Sequence, residues 1–564
     1  MASPSISVTT SKSFASSLSP TTVHVFVVIG VAIAVMTPML VWGIPSSRDL
    51  ANHFRFALPF YDAIRSGNWH PGWLAESNGG FGDASFRFYP PALYYLMALG
   101  RALTGSWYAS TVLTFALVSV VGALGIYLWA REFTTSTNAM WAGIFYSLAP
   151  YHINQFFQAL MLAEFAGASV LPFTFLFVER VCRQRRRRDV AGLAASYALL
   201  VLTHLPLAVM GSIALAIYAL LRIDRKKLWS TLAALSVSVG IGLVASASYW
   251  TTMLFELKWI RADNVHPEPG VDYRHNFVLS TFSSDSLNVW WMNILLLSTA
   301  AMFWPAMILV TRAVRQIRKR SNPEAFTTGA VALTVLLSMT VFMSTPLSRP
   351  IWNRARFLQE TQFPWRWLTI TMMACSILLA LSIPFWSRLA KTRRRSIAIL
   401  ACGTIVMSLA FSASHIVREA RWLSPPQFEQ TLSEIPGSPS VYQWLPVWAH
   451  DPLPQMNVPI EAAHRDVTIK DWSPERRTFH VNAGEPTEAR IRTFFYPNWT
   501  AMAGDRNLAV RPDHAGAMIV ALPKDAAYIT LEFREPKRVT YAAGLTLMGW
   551  LFIGALLPRR RIRN

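Results

Sequence analysis

Long apolar runs constrain this chain more than any other feature of its sequence. The first, at residues 23–43, is as long as the roughly 20 residues that an α-helix needs to cross the hydrocarbon core of a bilayer. A cleaved signal peptide has a shorter apolar stretch, so this run predicts a retained helix. Only 15% of the residues are charged, against about 25% in soluble proteins. These features exclude a soluble enzyme, a disordered protein and a disulfide-stapled secreted domain, and they predict an integral membrane protein.

Further apolar runs follow, and together they predict about twelve transmembrane helices. The predicted spans are residues 23–43, 107–130, 138–154, 160–180, 190–206, 208–222, 229–251, 288–311, 325–344, 366–386, 397–414 and 541–557. With the N-terminus inside, the five short basic runs of the chain all fall on the cytoplasmic side, as the positive-inside rule requires. The net charge of +21 therefore indicates cytoplasmic loops, because a nucleic-acid surface would need a basic stripe on a polar folded face. Both termini are predicted to be cytoplasmic, and no nucleic-acid partner is expected.

The chain divides into four predicted regions. Residues 1–22, rich in Ser and Thr, form a disordered cytoplasmic tail, and residues 23–414 form an all-α transmembrane domain whose first outer loop is long, at 44–106. Residues 415–540 are polar, and strand-like segments separated by turn residues predict a β-sandwich-like domain on the outer face. Residues 541–564 hold the last helix and a basic cytoplasmic tail.

The first outer loop carries the most informative polar residues. Asp49 and His53 are spaced i, i+4, so on a helix they share one face. A carboxylate there could act as general base toward a sugar hydroxyl, with His53 or Arg55 positioning phosphate oxygens. The alternative, about equally favoured by these residues alone, is that Asp49 caps a helix that begins near Leu50. Later in the loop, the apolar segment 90–103 is too short to cross and predicts a helix along the outer membrane surface.

Two polar residues lie inside apolar runs. Glu164 is flanked by apolar residues, and an unpaired carboxylate near hydrocarbon is costly, so it is predicted to face a cavity, a partner or a metal. The alternative is a structural hydrogen bond to another helix, or exposure at the interface. His204 is a weaker candidate of the same kind, because a lone histidine in an apolar segment is more often a packing residue.

Several arginines are placed on the outer side, against the positive-inside bias. They include Arg55, Arg87 and Arg366. A guanidinium forks two hydrogen bonds to a phosphate, so such a group of arginines suits a lipid-phosphate ligand. For any single one, pairing with lipid headgroups or with Glu360 is the simpler reading.

The order of these features resembles a known superfamily. One helix, a long outer loop with an acidic residue near its start, and a surface helix with Tyr-Pro-Pro-x-x-Tyr-Tyr at residues 89–95 are similar to the GT-C superfamily of polytopic glycosyltransferases. More narrowly, the chain resembles the bacterial membrane proteins filed as 6-pyruvoyl-tetrahydropterin-synthase-related. The motifs that carry this resemblance are Asp49…His53, Gly80-Phe-Gly82, Phe88-Tyr-Pro-Pro91, Ala163-Glu164 and Phe363-Pro-Trp-Arg366. The sequence shows no histidine cluster on a soluble fold that would support the soluble zinc enzyme of that name.

The resemblance implies a GT-C-like fold in the bacterial inner membrane and transfer of a sugar from a polyprenyl-phosphate donor to a glycan or protein acceptor of the envelope. It implies Asp49 as catalytic base and Glu164 as a second catalytic acidic residue, and it leaves open a divalent metal ion. The predicted substrate-binding residues are His53, Arg55, Arg87, Tyr89, His204 and Arg366, and membrane lipids are further partners. Relatives often carry a basic residue shortly before Glu164, where this chain has Gln155 and Gln158. The alternative function is a non-catalytic scaffold or transporter for envelope polysaccharide assembly.

Overall fold

A computed structural model of the protein describes residues 19–261, 272–282, 287–319, 325–435, 444–450 and 452–557. Of the predicted N-terminal tail, residues 1–18 lie outside the described residues. The basic tail after residue 557 lies outside them as well.

Helices dominate the described part of the chain. They are α1 Pro20–Met36, α2 Pro38–Val41, α3 Arg48–Arg65, α4 Ala92–Thr104, α5 Trp107–Ala130, α6 Ser136–Ser147, α7 Pro150–Phe157, α8 Leu162–Gln184, α9 Arg187–Thr203, α10 Leu205–Arg222, α11 Leu228–Val244, α12 Ala247–Glu256, α13 Leu287–Phe303, α14 Met307–Lys319, α15 Ala325–Ser344, α16 Arg349–Arg354, α17 Arg356–Gln359, α18 Leu368–Leu389, α19 Arg395–Glu419, α20 Pro425–Ser433 and α21 Lys537–Leu556.

Eight helical segments in the described residues are long and apolar enough to cross a bilayer, and a ninth candidate is a pair bent by 84°, Gly329–Ser344 with Pro346–Arg354. The helical membrane fold predicted from the sequence is confirmed, with eight or nine candidate spans where the sequence suggested about twelve. Three of the predicted spans are helical, but their helices have fewer than 18 residues. They are α1 with 17 residues, α6 with 12 and α9 with 17.

Proline and histidine positions explain why these spans are shorter than predicted. Pro38 starts a separate short helix after α1, and Pro150 starts α7, so the predicted span 138–154 is two helices instead of one. Proline lacks an amide hydrogen and clashes with the preceding turn, which favours it at the first position of a new helix. Between α9 and α10, the His204 ring accepts a hydrogen bond from the Leu207 amide at 3.2 Å and so caps α10.

The strands of the described residues lie in two places. A short pair joins β1, Ile44–Ser46, to β2, Arg421–Leu423, and ties the start of the outer loop to the segment after α19. The others are β3 Ile460–Ala462, β4 Val467–Trp472, β5 Arg476–Val481, β6 Thr487–Phe494, β7 Trp499–Ala503, β8 Arg506–Leu508, β9 Val510–Pro512, β10 Ala517–Leu522 and β11 Ala527–Phe533. They form two antiparallel sheets, ordered β3-β6-β10-β9 and β4-β5-β11-β7-β8. Alternate residues of β5 and β6 are buried between them, which confirms the predicted C-terminal β region.

The outer loop packs directly onto this β region. The Trp73 ring lies against the rings of Trp499 and Phe533, with centroids 5.8 and 5.5 Å apart. The Phe494 amide donates to the Phe81 carbonyl at 2.7 Å. Because the loop also carries α3 and α4, these contacts fix the helices of the loop relative to the sheets.

A buried ion-pair network holds the same junction together, and it is centred on Arg87. The Arg87 guanidinium donates to both carboxylate oxygens of Glu256 and to both of Glu535. Glu256 also accepts from Arg538 at 2.6 Å and from the Tyr496 hydroxyl at 2.9 Å. The outer loop, α12, the β region and the start of α21 therefore meet at one set of opposite charges.

Gly82→Ala is expected to destabilise this junction by about 2–5 kcal/mol. Gly82 has φ +84°, and a Cβ there would lie 2.2 Å from Nε1 of the Trp73 ring, so an alanine meets both backbone strain and a clash. Gly79→Ala is the matched control, because Gly79 has φ +63° with nothing within 4 Å of the added Cβ. Thermal unfolding of the detergent-purified protein measures both. An equal loss in the two variants would contradict the packing role of Gly82.

Candidate functional site

Asp49 lies in the first turn of α3, but it is not the helix cap. The helix begins at Arg48, and the Ser47 hydroxyl accepts a hydrogen bond from the Asp49 amide at 3.3 Å. The expectation that Asp49 caps a helix starting near Leu50 is therefore wrong. A serine two residues earlier takes that role, which leaves the half-buried Asp49 carboxylate free to point elsewhere.

The environment of Asp49 is set by burial and by two charges from other helices. Burial raises the pKa of the Asp49 carboxyl, the positive charge of Arg366 and a hydrogen bond from Asn52 act to lower it, and the negative charge of Glu164 raises it again. The fold therefore brings Asp49, Glu164 and Arg366 close enough to interact, although 317 residues separate the first from the last along the sequence (366 − 49).

Glu164 and Arg366 form a buried ion pair. Arg366 Nε donates to Glu164 Oε2 at 2.8 Å, and Arg366 and Glu164 are 8% and 1% exposed, respectively. Arg366 lies in a 3-10 turn, Pro364–Trp367, directly before α18, and Glu164 lies in the first turn of α8. Nη1 of Arg366 donates to the Thr361 carbonyl, whereas Nη2 has no acceptor among the described residues. One of the three guanidinium nitrogens, Nη2, can therefore still donate to a ligand.

The other oxygen of the Glu164 carboxylate is held by neutral donors. Oε1 accepts from the Tyr151 hydroxyl at 2.9 Å, from Gln155 Nε2 at 2.8 Å and from the Thr369 hydroxyl at 3.3 Å. The predicted partner for this intramembrane acid is present, in the form of an arginine and three polar side chains. Both predicted readings, a structural hydrogen bond and a functional carboxylate, are compatible with this arrangement.

His53 and Tyr89 both belong to the loop at residues 44–106, and their ring centroids lie 6.4 Å apart. His53 Nδ1 lies 2.9 Å from the Tyr94 hydroxyl, and burial lowers the pKa of the histidine to about 4, so its ring is neutral at pH 7. Burial and the charge of Asp49 raise the pKa of Tyr89, and Arg366 lowers it. These neutral polar groups suit hydrogen bonds to a sugar hydroxyl better than charge neutralisation.

The remaining predicted residues lie in different settings. Arg55 Nη1 donates to Asn52 Oδ1 at 2.6 Å, and Asn52 also hydrogen-bonds to Asp49, so Arg55 supports the cluster through Asn52. Arg87 is not brought to the cluster, because its guanidinium is taken up by Glu256 and Glu535. His204 is buried, and its capping bond to α10 gives it a structural task.

Sequence reasoning missed the residues of α7. All eight residues of this helix are buried, and they include His152, Asn154 and Gln155. Both ring nitrogens of His152, Asn154 Nδ2 and Gln155 Oε1 are buried without a hydrogen-bond partner in the described part of the chain. The available signal was the polarity of this segment inside a predicted span, because polar side chains at membrane depth mark functional or paired positions.

The residues present do not fit the divalent metal that the sequence left open. The described residues contain no group of three or more His, Cys, Asp or Glu side chains able to hold a metal ion. Both oxygens of Glu164 already accept hydrogen bonds. No step below is routed through a metal.

A cavity of about 230 Å³ lies beside the cluster, on the far side of the aromatic residues that surround Tyr94. Its lining includes Phe60, Phe86 and Arg87, together with Tyr95 of α4 and Tyr249 of α12. Asp49, Glu164 and Arg366 do not line it. This cavity and the cluster are therefore separate places in the described part of the fold.

The fold and the site define a polytopic membrane protein in which a helix of the first outer loop brings an aspartate to a buried glutamate–arginine pair. The chain belongs to the family described as 6-pyruvoyl-tetrahydropterin synthase related domain, a membrane protein family, whose model matches residues 86–416. This confirms the family resemblance predicted from the motifs. Glu164 and Arg366 lie within the matched range, and Asp49 precedes it.

Several solved structures are similar to the chain at low sequence identity. ArnT from Cupriavidus metallidurans bound to undecaprenyl phosphate is 16% identical, with 73% of this chain and 74% of that chain covered and a TM-score of 0.42. The oligosaccharyltransferase AglB from Archaeoglobus fulgidus, in complex with an inhibitory peptide and a dolichol-phosphate, is 14% identical, with 75% and 61% covered and a TM-score of 0.46. Arabinosyltransferase EmbB from Mycobacterium smegmatis is 14% identical, with 90% and 62% covered and a TM-score of 0.40.

These three are GT-C glycosyltransferases, the kind of protein that the sequence resembles. Their TM-scores are below 0.5, so the activity of this chain has to be argued from its own residues. No curated protein sequence matches the chain.

Proposed function

We propose that the protein is a membrane glycosyltransferase that moves a sugar from a polyprenyl-phosphate donor to a glycan or protein acceptor at the outer face of the bacterial inner membrane. Both termini would then be cytoplasmic, and the β region, within residues 415–540, would form an outer domain. The observation that carries the proposal is the placement of Asp49 beside Arg366, with Nη2 of that arginine free of acceptors among the described residues.

The chemistry follows from what each group can do. The oxygen of an acceptor hydroxyl attacks the anomeric carbon of the sugar, and the Asp49 carboxylate accepts the proton of that hydroxyl. The bond from that carbon to the phosphate oxygen breaks, and the polyprenyl phosphate leaves with the added negative charge. Arg366 stabilises this charge through Nη2, because a guanidinium–phosphate hydrogen bond strengthens as charge develops on the oxygen. Glu164 orients Arg366, while His53 and Tyr89 bind sugar hydroxyls.

The second candidate is a non-catalytic scaffold for envelope polysaccharide assembly. It is favoured by the saturation of Glu164 with protein donors. The two functions differ in turnover. The test is to reconstitute the protein in vesicles with a labelled polyprenyl-phosphate sugar and crude envelope acceptor, and to measure release of polyprenyl phosphate. A scaffold would bind the lipid and release none.

The transfer rate is expected to fall on the acid side with a half-point above the usual Asp pKa of about 3.9. Asp49 must be ionised to accept a proton, and burial raises its pKa, so activity is lost as the pH falls through that raised value. Asn52→Ala should move the half-point further up, because the Asn52 hydrogen bond lowers the pKa of Asp49. Asn68→Ala, which removes a hydrogen bond to Glu475 elsewhere, is the control. If the rate falls at the same acid pH in Asn52→Ala and in Asn68→Ala, Asp49 is not the titrating base.

A further inference from the structure

The β region contains a buried cation that the proposed transferase chemistry does not use. Arg477, on β5, is 1% exposed and points into the space between the two sheets. Its guanidinium carbon lies 4.4 Å from the ring centroid of Trp472 and 5.1 Å from that of Trp499. Burying a charge is costly unless it is paired and hydrogen-bonded, so the partners of this arginine decide what it does.

Those partners are incomplete. Nη1 of Arg477 donates to the carbonyl of Arg492 on β6 at 3.1 Å, which joins the two sheets. Nε is buried and has no acceptor among the described residues, and no carboxylate of the described residues lies within 4.0 Å of the guanidinium. Burial and the charge of Arg492 lower the pKa of Arg477 to about 9, although Glu76 raises it. The side chain is still protonated at pH 7.

A second guanidinium, that of Arg492, lies near enough for its charge to act on Arg477. Arg492 Nε is also buried without an acceptor in the described part of the chain, and it lies under the outer loop, where a Cβ at Gly80 would be 3.3 Å from it. Gly80 has φ +88°, so glycine permits both the turn and the close approach. Glu76, in the same loop, is exposed and close enough to act on Arg477.

Neighbouring side chains add further unused donors. Trp73 Nε1, Asn498 Nδ2 and Trp499 Nε1 are buried and have no acceptor among the described residues. Each of these atoms is an N–H donor, as are the two arginine Nε atoms. Most buried polar groups in native structures are hydrogen-bonded. A surplus made up of donors calls for a ligand that supplies acceptors and negative charge.

We propose that the loop–sheet seam, defined here by Glu76, Gly80, Arg477 and Arg492, binds an oxyanion: the phosphate or carboxylate group of an anionic glycan. The two guanidinium groups supply charge-assisted hydrogen bonds, which are stronger than those between neutral groups. Glu76 is an exposed carboxylate whose negative charge opposes an anion at the seam. The seam lies at the contact between the outer loop and the sheets, so an occupied seam tethers a glycan chain beside the loop that carries α3. The anion binding is independent of the transferase activity, whereas the choice of a glycan as carrier of the oxyanion rests on the proposed function.

The experiment titrates the full detergent-purified protein with sodium phosphate and, separately, with sodium glucuronate, while chloride keeps the ionic strength constant. Tryptophan fluorescence is the readout, because Trp472 and Trp499 contact Arg477, and the anion-induced shift in unfolding temperature is the second. Saturable binding is expected. Arg492→Gln should weaken it by about tenfold, and Glu76→Gln should tighten it by removing the competing carboxylate.

Control variants separate binding from folding. Arg511→Gln removes an exposed arginine of the same β region that pairs with Glu488, and it should bind anions as the unchanged protein does. Arg477→Lys keeps the charge but loses the paired N–H donors of the guanidinium, so it should bind anions more weakly. This variant tests the site even if Arg477→Met fails to fold. Tighter binding of phosphate than of glucuronate identifies a phosphate-bearing glycan, and the reverse order identifies an acidic sugar. The proposal is overturned if neither anion gives saturable binding, or if Arg492→Gln binds as tightly as the unchanged protein.

Discussion

Asp49→Asn is expected to reduce the rate of sugar transfer by about 10²–10⁴-fold, the usual contribution of a general base. The amide keeps the size and the polarity of the side chain but cannot accept the proton of the acceptor hydroxyl. Arg366 and Glu164 stay in place, so donor binding should change little and the loss should appear in kcat. Initial rates of polyprenyl phosphate release in vesicles, measured over a range of donor concentrations, separate a loss in kcat from a loss in donor binding.

The stability of the same variant shows whether the loss is chemical. Because burial raises the pKa of Asp49, the ionised carboxylate costs folding free energy above that raised pKa, and the cost disappears as the pH falls below it. Asparagine carries no charge, so Asp49→Asn should unfold at no lower a temperature at pH 7. Asp62→Asn, an exposed position on α3, is the control and should keep full activity. Full activity of Asp49→Asn would remove Asp49 from the role of base.

The membrane fold could be predicted because the bilayer imposes it. A run of about 20 apolar residues has few alternatives to a helix, and most of the predicted spans agree with helices in the structure. The breaks before Pro38 and Pro150 were less predictable, because proline within an apolar run either kinks a helix or starts a new one. Which of these occurs depends on the packing of neighbouring helices.

The sequence patterns identified several residues of the cluster but not their pairings. Glu164 needs a partner on physical grounds, yet nothing in the sequence identifies Arg366, 202 residues away, as that partner. Arg87 illustrates the opposite case. Its outer position suggested a phosphate ligand, whereas the fold supplies Glu256 and Glu535 from distant segments. Charge pairs between distant residues depend on how the chain packs, so local sequence patterns do not predict them.

Arg366→Met is expected to lower the free energy of unfolding by about 3–5 kcal/mol, because it leaves the carboxylate of Glu164 buried without its counter-charge. The double variant Glu164→Gln, Arg366→Met should lose less than the sum of the single changes. The neutral amide that replaces the carboxylate can still accept hydrogen bonds from Tyr151 and Gln155, and no buried charge remains. Denaturant or thermal unfolding in detergent of the unchanged protein, both single variants and the double variant gives the coupling energy directly.

The matched control is the pair between Arg180 and Glu132, whose side chains are 33% and 15% exposed. Water screens these charges, so Arg180→Met should cost no more than about 1 kcal/mol. If Arg366→Met costs as little as Arg180→Met, the Glu164–Arg366 pair does not hold α8 to α18. If it costs several kcal/mol, then Arg366→Lys decides what the guanidinium adds beyond charge. Lysine can restore the ion pair with Glu164, but it has no second nitrogen to donate to a phosphate, so stability should recover while sugar transfer stays low.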